Sequence, residues 1–338
     1  EGRHGRTGAD SAYVLSLGSA GFGYRDGEVW GVHTAFSGNH IHHAQRDYIG
    51  ASVIGGGELL LAGECSLVTG QSYETPWVYF NYADGLDAQA ERFHRHLRGL
   101  PVHPDTPRPV TLNVWEAVYF DHDLDRLKEL AERAAALGVE RFVLDDGWFG
   151  SRRNDCAGLG DWVVSADVWP DGLHPLIDHV RALGMEFGLW FEPEMINIDS
   201  ELARAHPEWI MGTGEVLPVE ARQQQSLNLG IPECYAHIRD AMCAVLDQYD
   251  IAYIKWDHNR DMVDAATRRT GEPAMHAQTP AYYRLVAAPK SRYPGPELAA
   301  RARAIISATT NCVLATIRAD GSPRASGIDP FFREGDLW

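Results

Sequence analysis

The sequence has no apolar run near the ~20 residues that a membrane-spanning helix needs, and no Cys-x-x-Cys pair among its five cysteines. Its first residues, EGRHGRTGAD, have no apolar core behind a basic start, so no signal peptide is expected. They do not begin with Met, and the chain reads as a fragment. Basic residues are scarce, 30 Lys and Arg against 47 Asp and Glu, for a formal net charge of −17. Nucleic acid and anionic membranes would be repelled by that balance, and a neutral substrate is expected instead. Cys65, Cys156, Cys234, Cys243 and Cys312 are odd in number. They fit reduced thiols in a cytoplasmic protein better than a disulfide framework. What the sequence does have is 338 residues at 45% hydrophobic content, enough for one large or two ordinary soluble domains. It also has ten tryptophans, which serve either as core area or as platforms for sugar rings.

Residues 1–100 carry short β-like runs at Ala12–Leu17, Val29–Ala35, Ala51–Val53, Glu58–Ala62 and Trp77–Tyr82, punctuated by Gly, Asn and Asp. They read as a partial antiparallel β-sandwich. The stretch SGNHIHHAQRD sets His40, His42 and His43 together. With no carboxylate or Cys at a ligand spacing, it reads as an edge strand with polar outward positions rather than a metal site. Residues 101–109, PVHPDTPRP, hold four prolines between other residues and read as a linker. Beyond them the texture changes. Apolar strands are predicted at Val110–Val114, Arg141–Leu144, Glu186–Phe191 and Ile251–Trp256. Between them, helical spacing runs through Leu124, Leu127, Ala131, Ala134 and Leu137, then Leu176, Ile177, Val180 and Leu183, then Tyr235, Ile238, Met242, Val245 and Leu246. Gly138 and Gly184 close the first two helices. Strands alternating with helices mean βα units on a parallel sheet, here over residues 110–290.

Chemistry in βα folds sits at the C-terminal strand ends. The four strands end in Asn113–Glu116, Asp145–Trp148, Trp190–Glu192 and Lys255–Asp257. Carboxylates and tryptophans at successive strand ends, with one lysine, suit a polyhydroxylated ligand. Carboxylates accept its hydroxyls in pairs, and indole covers the apolar face of a sugar ring.

The motifs NVWEAVYFD (113–121), FVLDDGWFG (142–150), GLGDWVVSADVWPDGLHPL (158–176), MEFGLWFEPEMINIDS (185–200) and YIKWDHNRD (253–261) resemble those of the bacterial α-galactosidases of glycoside hydrolase family 36, in the family's order. The resemblance runs from the first residues to about residue 285. It implies a multidomain α/β plus β protein, in which a partial β-supersandwich precedes an incomplete (β/α)8 TIM barrel. It also implies a retaining hydrolase without metal or cofactor, acting on α-galactoside oligosaccharides such as melibiose and raffinose. By motif, Asp257 corresponds to the catalytic nucleophile, and Lys255 to a residue that lies against the sugar and keeps Asp257 ionised. Asp145 and Asp146 match the pair that grips hydroxyls on the axial-O4 side of galactose. Trp115 and Trp190 match pocket walls, Arg222 a sugar-binding arginine, and Asn259 a residue of the nucleophile loop. A homo-oligomer stays open.

A retaining glycosidase needs a second carboxyl about 5 Å from the nucleophile as acid/base. In the family that residue follows two further βα units, after a cysteine- and glycine-rich motif that this sequence lacks. The match ends near AYYRLVAAPKSRYPG (281–295), and four strands are half of the eight that close such a barrel. Residues 291–338 read as an unrelated helix followed by a hairpin with Asp320–Gly321 at its turn. That tail resembles the opening of the flavin-binding split barrels related to pyridoxamine 5'-phosphate oxidase, with too little of the fold to form a flavin site. The change of texture reads as a join between unrelated reading frames, with a natural fusion as the alternative. Two functional readings stay open: an α-galactosidase whose turnover suffers from the missing acid/base segment, or a non-catalytic galactose-binding or folding-deficient remnant.

Overall fold

The structure, a computed structural model, describes residues 1–8, 13–101, 103–104 and 106–292, with four short strand segments beyond residue 314. Its contacts separate two compact units, of which one holds Glu1–Asp105 and the other Thr106–Arg301. The division falls inside the proline-rich stretch 101–109.

In the first unit, β1 (Val14–Gly18), β2 (Glu28–Thr34) and β5 (Val78–Asp84) form one antiparallel sheet in the order β1-β2-β5. A second antiparallel pair joins β3 (His40–Arg46) to β4 (Ser52–Glu58). The sequence reading breaks β4 at its three glycines into separate runs, Ala51–Val53 and Glu58–Ala62; the structure has one continuous strand. At two of these glycines, Gly55 and Gly56, a histidine ring lies over the backbone. A Cβ on Gly55 would stand 2.5 Å from His43 Cε1, and one on Gly56 would stand 2.5 Å from His42 Cδ2. The histidines are also less outward than expected. His40 is buried and stacks on Tyr13, and His42 Nε2 accepts a hydrogen bond from the Thr34 amide at 3.2 Å. A helix unforeseen from the sequence, α1 (Leu86–Arg98), follows β5. Its buried Gln89 accepts from Ser16 Oγ at 2.6 Å through Oε1 and from Asn81 Nδ2 at 2.8 Å through its carbonyl, tying the helix to β1 and β5.

The second unit is built on four parallel strands in sequence order: β6 (Thr111–Asn113), β7 (Arg141–Leu144), β8 (Glu186–Phe191) and β11 (Tyr253–Trp256). Between them run α2 (Trp115–Val118), α3 (Leu124–Ala136), α4 (His174–Ala182), α5 (Glu201–Ala205) and α6 (Pro232–Gln248). A small antiparallel pair joins β9 (Met195–Ile196) to β10 (Gln225–Ser226), and α7 (Met275–Arg292) follows β11. Every residue of β7 is buried, as is all of β8 beyond Glu186. Strands covered on both faces have no use for alternation, and both read as nearly continuous apolar runs.

Two helix ends aim those strands. After α3, Gly138 takes φ 86°, the Val139 amide donates to Ala134 O at 3.1 Å, and the Gly138 amide donates to Ala135 O at 3.0 Å. After α4, Gly184 takes φ 84°, with the matching bonds from Met185 to Val180 O and from Gly184 to Arg181 O. Both are Schellman ends, in which a left-handed glycine satisfies the last carbonyls and turns the chain sharply. Each feeds the next strand within three residues. At that N-terminal end of the sheet, Arg141 pairs with Glu186 at 2.8 Å and lies over the Tyr253 ring at 4.3 Å, locking the starts of β7, β8 and β11. The opposite ends are left to carry polar groups.

Beyond residue 314, Ala315–Ile317 pairs antiparallel with Pro323–Ala325. The helix expected ahead of this pair and the Asp320–Gly321 turn lie outside the described residues.

The α3 end and its core face give a stability test. Asp123 caps α3 by accepting from the Arg126 amide at 2.8 Å. Asp123→Ala is expected to cost about 1 kcal/mol. Leu127→Ala, at a fully buried position, is expected to cost about 2–5 kcal/mol. Urea unfolding of the two variants checks that order, and an equal small loss for both would contradict the packing described for α3.

Candidate active site

Asp145 leaves the end of β7 directly into the turn Asp146–Gly147. Its Oδ1 accepts from the Asp146 amide at 2.8 Å, and its Oδ2 takes Lys255 Nζ at 2.6 Å. Lys255 is on β11, in register with Trp190 on β8, so its side chain crosses the end of the intervening strand to reach Asp145. Asp145 is buried, while the Lys255 side chain keeps 31% exposure. The pair therefore presents its ammonium outward.

Asp257 follows β11 by one residue, and its amide extends the sheet to Phe191 O at 2.8 Å. Its Oδ2 accepts from Trp190 Nε1 at 3.0 Å and from Asn259 Nδ2 at 2.8 Å; its Oδ1 accepts from the His258 amide at 3.0 Å. Behind it lies Glu192, fully buried, whose Oε1 accepts from the Asn259 amide at 2.6 Å and whose Oε2 accepts from Gln224 Nε2 at 2.8 Å. Desolvation first, and then the charge of Asp257, push the Glu192 carboxyl up to about 8. Glu194, also fully buried, receives Trp256 Nε1 at 3.3 Å and faces His258 Nδ1 at 3.5 Å.

Several expectations change in this geometry. Lys255 does not pair with Asp257; its ammonium is taken by Asp145, and N–H donors surround Asp257 instead. Asp145 and Asp146 do not stand as a free pair for sugar hydroxyls. Asp146 gives both oxygens to the buried Arg152, whose Nε and Nη2 reach it at 2.8–3.1 Å, with burial pushing its carboxyl up against that pull. Trp190 is only 2% exposed and lies nearly parallel to Phe149, interplanar angle 7°, so it serves Asp257 as a donor rather than as an open wall. Trp115 is not in a strand. It opens α2, half-buried, with the edges of Tyr119 and Phe120 against its ring at 5.2 and 5.1 Å. Arg222 is exposed on a turn at φ 56°, and no hydrogen bond among the described residues ties it to the others. Asn259 stands against Asp257, as the bond above shows.

Sequence reasoning did not single out Arg152, Gln224 or Glu194, and it gave Glu192 only as a strand-end carboxylate without a role. The two glutamates had a signal, since EPE follows directly on the buried LWF of β8 and a charge at such a place needs partners. Arg152 and Gln224 had none, each being one of several alike in SRRND and RQQQS. Among the described residues no group of His, Cys, Asp and Glu is arranged to hold a metal ion.

The family model "Glycosyl hydrolase family 36 N-terminal domain" matches residues 1–68, and the model "Melibiase" matches residues 72–302. The resemblance of the tail to flavin-binding split barrels finds no support in these matches, which end at residue 302. The chain is 43% identical over 297 residues to an alpha-galactosidase of Escherichia coli, covering 87% of this chain and 42% of that protein. It is 39% identical over 277 residues to the alpha-galactosidase Mel36A of Lactobacillus acidophilus, covering 79% and 38%. A solved structure of a variant of the family 36 alpha-galactosidase AgaA from Geobacillus stearothermophilus, in complex with raffinose, matches with a TM-score of 0.79 and 32% identity, covering 86% of this chain and 42% of that one. The chain thus spans about two fifths of the length of these relatives. The melibiase match alone takes in more than half of its residues, and the chain belongs to the melibiases of glycosyl hydrolase family 36.

Proposed function

We propose that this chain has the chemistry of a retaining α-galactosidase, taking terminal α-linked galactose from oligosaccharides such as melibiose and raffinose. One observation carries the reading: Asp257 stands partly exposed at the C-terminal end of a parallel strand, with its carboxylate fixed by three N–H donors. Names of relatives and the raffinose-bound neighbour support the sugar. The oxygen Oδ1, with a single donor, keeps lone-pair density free for attack on the anomeric carbon. As that bond forms, the bond to the leaving oxygen breaks and its electron pair departs with the oxygen, which then needs a proton. Lys255, held by the buried Asp145, presents a partly exposed ammonium two residues from Asp257, suited to a sugar hydroxyl. The free cysteines among the described residues, Cys65, Cys156, Cys234 and Cys243, support a reducing, cytoplasmic setting.

A second reading, galactose binding with little turnover, rests on the carboxyls around Asp257. Asp145 is held by Lys255 and the Asp146 amide, Asp146 by Arg152, Glu192 by Asn259 and Gln224, and Glu194 by Trp256 and Gln278. Among the described residues none of these has an oxygen free to protonate a leaving group. General acid catalysis typically contributes about 10²–10⁴-fold.

Two outcomes follow. Titration calorimetry on the 338-residue chain is expected to show tighter binding of galactose than of glucose. Asp145→Asn, which removes the carboxylate that holds Lys255, is expected to weaken galactose binding by roughly 10–100-fold, the worth of a hydrogen bond to a charged group; equal affinity for the two sugars would defeat the galactoside reading. Melibiose hydrolysis by the same chain is expected to be slow, and brisk steady-state cleavage would show that an acid/base residue is in place.

A further inference from the structure

Glu192 is the group at this site that the chemistry above leaves without a task. It is fully buried, yet it lies one hydrogen-bonded residue from Asp257. Asn259 joins the two, its amide on Glu192 Oε1 and its side-chain Nδ2 on Asp257 Oδ2. Two carboxyls joined through one residue, one of them out of water, cannot both carry charge cheaply. The surroundings are unequal. Asp257 receives three donors and retains some exposure to water; Glu192 receives two donors and has none.

The other charged groups nearby are already engaged. Lys255 is bonded to Asp145, and His258 faces Glu194. Arg260 lies beyond Gln224, bonded to the Gln224 carbonyl and to Gln225 Oε1. No cation is left to neutralise Glu192 among these. Gln224 faces the Glu192 carboxyl through its side-chain amide. With the Gln224 amide turned over, Oε1 meets the Glu192 carboxyl and accepts a hydrogen from it.

We propose that Glu192 is a positioning residue that holds, as a neutral acid, the proton shared with Asp257, fixing Asn259 on the nucleophile and leaving Asp257 the single negative charge of the pair. The inference rests on the assignment of Asp257 as nucleophile. The raised affinity of Glu192 for its proton agrees with it. By linkage, the stability tied to this proton is full below the ordinary value of 4.5 and is lost as pH rises through about 8. Above that, a second negative charge stands beside Asp257 and the two repel.

Infrared titration of the folded 338-residue chain tests this without any need for turnover. A carboxylic-acid carbonyl band is expected at pH 7, vanishing with a midpoint near 8 and absent from Glu192→Gln. In Asp257→Asn the midpoint is expected to fall by about one pH unit, because the like charge that raises it is gone; a purely structural Glu192 would show no such coupling. Should Glu192→Gln fold poorly, the midpoint in Asp257→Asn decides alone. Absence of the band at pH 7, or a midpoint indifferent to Asp257→Asn, would overturn the proposal. A chain that shows the band and the coupling but binds no galactose by calorimetry would sink the galactoside reading and uphold the shared proton.

Discussion

A carboxylate taken out of water at the end of an apolar strand must find hydrogens to accept, and the second unit is organised around that requirement. Four carboxyls are at or just past the ends of β7 and β8, at Asp145, Asp146, Glu192 and Glu194, all buried. Left unpaired, a buried ion costs far more than a surface one. Each has been given a different solution: an ammonium for Asp145, a guanidinium for Asp146, amides for Glu192, an indole N–H and the nearby His258 ring for Glu194. Asp257 is the one that stays partly in contact with solvent. The rest of the cluster is satisfied internally, which leaves a single carboxylate available to chemistry.

The scaffold makes those solutions reachable. Schellman ends at Gly138 and Gly184 bring β7 and β8 into the sheet in register, and the Arg141–Glu186 pair fixes their starts. With both strands fixed at one end, their opposite ends present side chains at set spacings. Lys255 can then cross β8 to Asp145, and Trp190 can reach Asp257 from the neighbouring strand. The parallel order β6-β7-β8-β11 makes these contacts neighbours in space although Lys255 and Asp145 are 110 residues apart in sequence.

How much of this was legible in the sequence follows the same physics. Arg141–Leu144 and Glu186–Phe191 were read to the residue, because strands buried on both faces are apolar runs bounded by charge. The ends of α3 and α4 were legible through their glycines. The helix α1 was not, because its buried face is Gln89 rather than an apolar stripe. The glycine tract of β4 misled, since a ring stacked over a backbone leaves no mark in the glycine's own sequence. At the site, residue types at the strand ends were readable, but their pairings were not. Nothing local says that Lys255 serves Asp145 rather than Asp257, or that of the adjacent Arg152 and Arg153 it is the first that enters the core to hold Asp146. Pairings are set by which strands lie side by side, and only the fold decides that.

The central claim is that Asp257 is the atom source of a covalent bond to galactose. Incubation of the chain with an activated aryl α-galactoside, whose phenolate leaves without a proton, followed by intact-mass and peptide mass spectrometry, tests it directly. The account predicts one galactosyl increment, mapped to the peptide carrying Asp257 and absent from Asp257→Ala. A chain that binds galactose yet gains its label at another carboxyl, or gains none, would contradict it.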